Sequence, residues 1–261
     1  MNNTLFKMII DEYKQFPEVQ AIAIGGSIAG NTSDNNSDID VYIFITKDIP
    51  IEKRLNLTKQ YSQNYEIGGE YFGPGDEFFV EKLNKQLDVM YWNIDWFENT
   101  VQNIWHKHYP SNGYTTCFLY TLKNLQILFE KDNWLTNLKK QINTPYPAEL
   151  KNNIIKRNLM LLKDKPFASY YEQIQKAIER KDINSINHRI SAFLASYFDI
   201  IFAANELLHP GEKRLIKYAQ NNCSKLPKDF ENNITRLLQQ PNDNTIETLD
   251  SIITNLKEIL H

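Results

Sequence analysis

The sequence predicts an α+β chain. A small mixed β-sheet domain with flanking helices is expected over residues 1–144, and an all-α helical bundle over 145–261. Three observations carry this reading. Short β-prone apolar runs, such as Ala21-Ile22-Ala23-Ile24 and Val41-Tyr42-Ile43-Phe44-Ile45, lie in the first half. The segment Asn143-Thr144-Pro145-Tyr146-Pro147 sets two prolines within three residues and is the clearest break in the chain. Beyond it, apolar residues recur three and four apart, the period of a helix.

Taken in order, residues 3–16 show helical spacing through Leu5, Met8, Ile9, Tyr13 and Phe16. A first strand then ends in Gly25-Gly26-Ser27, a polar spacer reaches Ser37, and a second strand opens with Asp38-Ile39-Asp40. Pro50 sits where a helix would start and run to about Tyr65. Residues 65–77 read as a glycine-rich acidic loop. Its Glu66, Glu70, Asp76 and Glu77, with Glu81 and the aromatics Tyr71, Phe72, Phe78 and Phe79, read either as a solvated loop over core aromatics or as the charged, stacking lining of a pocket for a cation. A third strand follows over 86–92, then helical stretches over 94–107 and 113–125, and an edge strand with a turn over 127–134. After the prolines, helices are expected over 148–163, 167–181, 183–208, 213–222, 228–239 and 244–260.

The chemistry concentrates around the second strand. Side chains alternate along a strand, so Asp38 and Asp40 share one face while Ile39, Val41, Ile43 and Ile45 take the other. Two neighbouring carboxylates repel each other unless a cation sits between them. Their hard oxygens suit Mg²⁺ carrying substrate phosphates. The preceding Gly25-Gly26 turn lets backbone approach a phosphate closely. These features specify a nucleotidyl-transfer site.

The ordered set Gly25-Gly26-Ser27, spacer, Ser37-Asp38-Ile39-Asp40-Val41 resembles the signature of the DNA polymerase β-like nucleotidyltransferase superfamily. The layout of a small sheet followed by helices is similar to its aminoglycoside nucleotidyltransferases. The resemblance implies a third carboxylate on a neighbouring strand, and Asp88 in Gln86-Leu87-Asp88-Val89-Met90-Tyr91-Trp92 supplies it. Asp88, Met90 and Trp92 would share a face opposite Leu87, Val89 and Tyr91. Asp95 competes less well, because it follows the strand and reads as a helix cap. By this resemblance Asp38, Asp40 and Asp88 are catalytic and hold Mg²⁺, two ions in all. Gly25, Gly26, Ser27 and Ser37 would bind the nucleotide, ATP or another nucleoside triphosphate. Asn205 and Lys213 would complete a nucleotide and acceptor cleft from the helical domain. The lysine belongs to His209-Pro210-Gly211-Glu212-Lys213-Arg214, where two cations expected in the first turn of a helix suit an anion. His209 itself reads as a packed turn residue.

Composition fits this reading. The chain has 261 residues and a net charge of −3, which argues against broad nucleic-acid binding. Cys117 and Cys223 are too few for a disulfide scaffold and lack metal spacing, which indicates a reducing cytoplasm. No apolar run spans a bilayer, so no membrane partner is expected. A homodimer is compatible with the sequence. The expected acceptor is a small molecule carrying a hydroxyl, an aminoglycoside-like antibiotic among the options. The same motifs would also serve transfer to a protein or RNA, as in toxin–antitoxin pairs, or a nucleotide-binding regulator without catalysis.

Overall fold

In the computed structural model, which describes residues 4–25, 38–71, 73–164, 168–239 and 244–260, the sheet is organised around strand β2 (Ile39–Ile45). Antiparallel to it on one side runs β1 (Val19–Ile24), which in turn pairs with the edge strand β6 (Gln126–Glu130). On the other side β5 (Lys85–Asn93) runs parallel to β2, followed by β4 (Gly75–Val80) and β3 (Asn64–Gly69), both antiparallel to their neighbours. The six strands lie in the order β3-β4-β5-β2-β1-β6. The sheet is mixed and the helices lie mostly in the C-terminal half, so the chain is α+β as its sequence predicts.

Period-two alternation divides the sheet faces. Ile22, Ile24, Ile39, Val41, Ile43, Phe78, Leu87 and Val89 form one apolar face, buried under Phe6, Ile9, Ile10 and Tyr13 of helix α1 (Thr4–Tyr13) and Leu57 of α2 (Ile51–Thr58). Each such side chain contributes about 1.5–3 kcal/mol when fully buried. Met8, placed in the apolar stripe by its spacing, is instead half exposed, and Phe6 takes the inward position.

The acidic stretch after α2 is not a loop. It forms the hairpin β3–β4, and α2 stops at Thr58 because residues 64–69 join the sheet. The cause is a buried ion pair. Asp76 is 1% exposed; its carboxylate accepts from Arg54 Nη1 at 2.7 Å, from the Tyr91 hydroxyl at 2.7 Å and from the Gly68 N–H at 2.8 Å. Those three hydrogen bonds tie α2, β3, β4 and β5 together. Gly68 adopts φ +80° at the register shift of β3, a conformation glycine takes at no steric cost. Asp76 and Phe78 therefore belong to the buried face and are not available to line an acceptor pocket, whereas Glu77 and Phe79 point to the other face.

Contacts divide the chain into two units, Met1–Gln102 with Thr121–Thr144, and Asn103–Tyr120 with Pro145–His261. Helices α3 (Ile94–Val101) and α5 (Trp134–Ile142) complete the first unit, and α4 (Cys117–Asn124) spans the second crossing between units. The second unit holds α6 (Ala148–Leu159), α7 (Tyr170–Glu179), α8 (Ile183–Ala204), α9 (Leu215–Asn222), α10 (Phe230–Gln239) and α11 (Thr245–Glu258). Its core centres on α8, whose Ile190, Phe193, Tyr197, Ile200 and Ile201 are almost fully buried. Among the described residues, no helix is long and apolar enough to cross a membrane.

A polar knot pins the 103–120 segment within the second unit. Asp199 of α8 accepts from the Thr115 N–H at 3.0 Å and the Thr115 hydroxyl at 2.6 Å, and from Asn158 Nδ2 at 3.1 Å. Asn158 also accepts from the Gly113 N–H at 3.1 Å. A Cβ on Gly113 would lie 2.8 Å from Ala195 backbone carbon, so this contact requires glycine. Burial outweighs these hydrogen bonds and pushes the Asp199 carboxyl up to about 6. A folded-state value above the unfolded one means that the folded form binds the extra proton. Its stabilisation is complete below about pH 4 and lost as pH rises towards 6, a change of about 3 kcal/mol if no other group intervenes. Chemical denaturation at stepped pH should show this decline in the wild type and its absence in Asp199→Asn.

Candidate active site

The parallel register of β2 and β5 sets Asp40 directly opposite Asp88. Antiparallel pairing continues the row, with Asp88 opposite Glu77 and Glu77 opposite Glu66. Paired residues project to the same side, so four adjacent strands present four carboxylates in line. Asp40 and Asp88 are half-buried, whereas Glu77 and Glu66 are exposed. Asp38 lies exposed just before β2.

This face concentrates negative charge. Burial raises the proton affinity of Glu77, and the charges of Asp88, Glu66 and Asp38 raise it further. Asp38, on a strand entry two strands away, is thus within electrostatic reach of Glu77. Gln86 Nε2 donates to Asp88 Oδ1 at 2.8 Å and fixes the orientation of that carboxylate. Among the described residues, no three Asp, Glu, His or Cys side chains are gathered tightly enough to share one metal ion. The strand register, rather than a closed cage, is what brings the acids together. Their chemistry fits Mg²⁺, since every donor is a hard carboxylate oxygen and the field they create favours a cation.

Gly25 follows β1 directly, its N–H donating to the Asp40 carbonyl at 3.0 Å. A Cβ there would fall 2.5 Å from Tyr42 Cε2 and 3.4 Å from Leu125 Cδ2. The glycine therefore makes room for the Tyr42 ring, which also meets Trp92 edge-on at 4.8 Å. Burial, and then the Asp40 charge, push the Tyr42 phenol up, so it stays neutral beside the carboxylates. Tyr42 lies on the face of the carboxylate row, a placement that motif spacing does not reveal. Its signal was the alternation itself, which places residue 42 on the face of Asp40.

The remaining expected residues divide in two groups. Gly26, Ser27 and Ser37 lie outside the described residues. Asn205 and Lys213 belong to the second unit. The Asn205 side chain caps the end of α8: its Nδ2 donates to the carbonyls of Ile201 at 2.9 Å and Lys225 at 2.8 Å, and its Oδ1 accepts from the Lys225 N–H at 2.8 Å. Lys213 is exposed in the turn before α9, not in its first helical turn, and Arg214 adopts the left-handed conformation at φ 56° as the helix begins. His209 is fully buried between Phe202 and Tyr114, and burial lowers its proton affinity to about 4, so it is neutral packing.

Residues 7–95 match the family described as polymerase beta, nucleotidyltransferase. The matched stretch holds Gly25, Asp38, Asp40 and Asp88. No curated protein matches the chain. Among solved structures, a nucleotidyltransferase-like protein from Exiguobacterium sibiricum 255-15 aligns with 97% of this chain and 72% of its own, at 12% identity and a TM-score of 0.48. A STING-associated CdnE c-di-GMP synthase from Capnocytophaga granulosa aligns over 97% of this chain and 77% of its own, at 13% identity and a TM-score of 0.30. A spectinomycin adenyltransferase AAD(9) from Enterococcus faecialis aligns over 96% and 99%, at 13% identity and a TM-score of 0.26.

Gly25→Ala should force the Tyr42 ring aside and cost about 1–3 kcal/mol by overpacking. Adding Tyr42→Ala should cancel the steric part, so the double variant is less destabilised than the sum of the two single ones. Denaturant unfolding of all four proteins measures the coupling, and strict additivity would rule the contact out.

Proposed function

We propose that this chain, a polymerase β-type nucleotidyltransferase through residues 7–95, transfers a nucleoside monophosphate from a nucleoside triphosphate to a hydroxyl of a small acceptor. ATP is the proposed donor. The observation that carries the reading is the opposition of Asp40 and Asp88 in the parallel register, inside the matched domain.

In the proposed reaction the acceptor oxygen forms a bond to the α-phosphorus. The bond from that phosphorus to the bridging oxygen breaks, and its electron pair leaves on pyrophosphate. Asp38 and Asp40, with Asp88, would hold divalent metal, which when bound offsets the negative charge of the phosphates. Asp88, its orientation set by Gln86, orients the acceptor hydroxyl and takes its proton. The Gly25 turn admits the phosphate chain to close approach of the backbone. Tyr42 and Trp92 wall the face beside Asp40 and Asp88 and restrict water there. The acceptor we favour is a hydroxylated cation, because Glu77 and Glu66 extend the negative field from the reacting end to the edge strand β3.

The reading is tested with purified protein, ATP, Mg²⁺ and a panel of hydroxylated acceptors, following pyrophosphate release and acceptor mass. Acceptor-dependent release with a matching gain of a nucleotidyl group is expected. Absence of both across cationic and neutral acceptors, with every nucleoside triphosphate, would reject it.

Two variants separate the carboxylate roles. Asp40→Asn should abolish Mg²⁺-dependent transfer while keeping the wild-type melting temperature or raising it, since it relieves repulsion. Asp88→Asn should bind the metal–nucleotide within about tenfold of wild type yet transfer about 10²–10⁴-fold more slowly, the loss expected for a general base. Calorimetry showing no nucleotide binding by Asp88→Asn would make metal holding, rather than proton transfer, the principal role of that residue.

A further inference from the structure

The carboxylate row occupies one part of its sheet face, and a different chemistry occupies the β6 edge of the same face. A cleft of about 420 Å³ opens there in the first unit, lined by Lys123, Lys139 and Lys140 together with Ile127, Thr136 and Asn143. Among the described residues, no acidic side chain lines it. Ile127 pairs with Ala23, which pairs with Tyr42, so the cleft lies on the face that carries Asp40 and Asp88.

Register also places it close to Gly25. Lys139 Nζ donates to the carbonyl of Leu125, and the Leu125 side chain is one of the two groups a Cβ on Gly25 would meet. From β2 to β6 is two strand steps, about 10 Å. A triphosphate chain and an extended lysine side chain together cover that span.

The charges in the cleft are not balanced from within. None of the three lysines makes an ion pair among the described residues. Glu130 on β6 is taken up by Thr136, whose N–H donates to it at 2.8 Å and whose hydroxyl donates to its other oxygen. Lys123 and the Lys139–Lys140 pair stand in the last turns of α4 and α5, where cations favour the helix ends. That effect accounts for only part of the charge, because each helix end supplies about half a negative charge against three full positive ones. Burial without a counter-charge also lowers the proton affinity of Lys139. A group of lysines in this position gains most from an anion with several charges spread along its length.

We propose that the Lys123–Lys139–Lys140 cleft is an anion site that holds the outer phosphates of the nucleoside triphosphate and the pyrophosphate it releases. This assignment rests on the nucleotidyl-transfer reading of the neighbouring carboxylates, and it makes the sheet face bipolar. Acids at β2 and β5 take the reacting end of the nucleotide, while lysines at β6 take its polyphosphate tail.

The test uses inorganic tripolyphosphate titrated calorimetrically into the full chain without metal, so that the carboxylates contribute no attraction. Wild-type protein should bind it, and Lys139→Met/Lys140→Met should bind at least tenfold more weakly, with Lys123→Met several-fold weaker. Methionine keeps the apolar stem, and circular dichroism with a thermal melt verifies the fold; the exposed Lys140→Met and Lys123→Met singles serve if the double variant melts early. Asp40→Asn should bind tripolyphosphate at least as tightly as wild type. Loss in the lysine variants with retention in Asp40→Asn supports the site even if no acceptor is ever nucleotidylated. Unchanged affinity in the lysine variants, or no wild-type binding, overturns it even if transfer from ATP is observed. Tighter lysine-dependent binding of a single-stranded oligonucleotide than of tripolyphosphate would also overturn it, in favour of a nucleic-acid surface.

Discussion

The parallel pairing of β2 with β5 is the constraint on which this protein depends. Strands joined by short turns run antiparallel; a parallel pair requires a crossover, and here α2 and the β3–β4 hairpin lie in sequence between the two strands. Only this pairing brings Asp40 and Asp88, far apart in the chain, to the same level of one face. A one-residue slip would turn Asp88 into the apolar layer and bring Leu87 or Val89 out. The slip is opposed by the buried face, where Ile39, Val41, Ile43, Leu87 and Val89 are all excluded from water. Hydrophobic burial on one side of the sheet thus sets the acid geometry on the other.

The Arg54–Asp76 pair reinforces that register from beneath. Removing one partner of a buried pair leaves an uncompensated charge at a cost of several kcal/mol, so such a pair fixes its surroundings more than it stabilises them. Here it joins α2 to β4, while Tyr91 brings in β5 and Gly68 brings in β3. The strand that carries Asp88 is held by its neighbours on both sides. Above the sheet, Tyr42, Trp92, Phe44, Phe97 and Trp134 pack ring against ring and leave the acids as the polar part of an otherwise aromatic face. Charge on that face then runs from Glu66 at β3 to Lys139 beside β6.

Much of this was legible in the sequence, for identifiable reasons. Asp40 and Asp88 could be placed because each interrupts an apolar alternation, and a charge in that setting needs a partner. The helical half could be read because its apolar residues keep one period through α8. The hairpin β3–β4 escaped because its glycines and acids have loop composition; its strand character comes from Asp76 finding Arg54, a contact no local pattern announces. The role of Gly25 was only half visible, since sequence suggests close backbone approach but not the Tyr42 ring pressed against it. The lysine cleft was invisible for a similar reason. Lys123 and Lys139 sit on different helices and meet only where β6 joins the sheet.

The central claim is that the Asp40–Asp88 register creates a divalent-cation site for a nucleotide. Electron paramagnetic resonance of Mn²⁺, titrated with protein and a non-hydrolysable ATP analogue, reads that site directly and needs no acceptor. The account predicts that wild-type protein depletes the free-ion signal stoichiometrically when the analogue is present, and that Asp40→Asn with analogue leaves it no more depleted than analogue alone. Equal depletion by wild type and Asp40→Asn would contradict it.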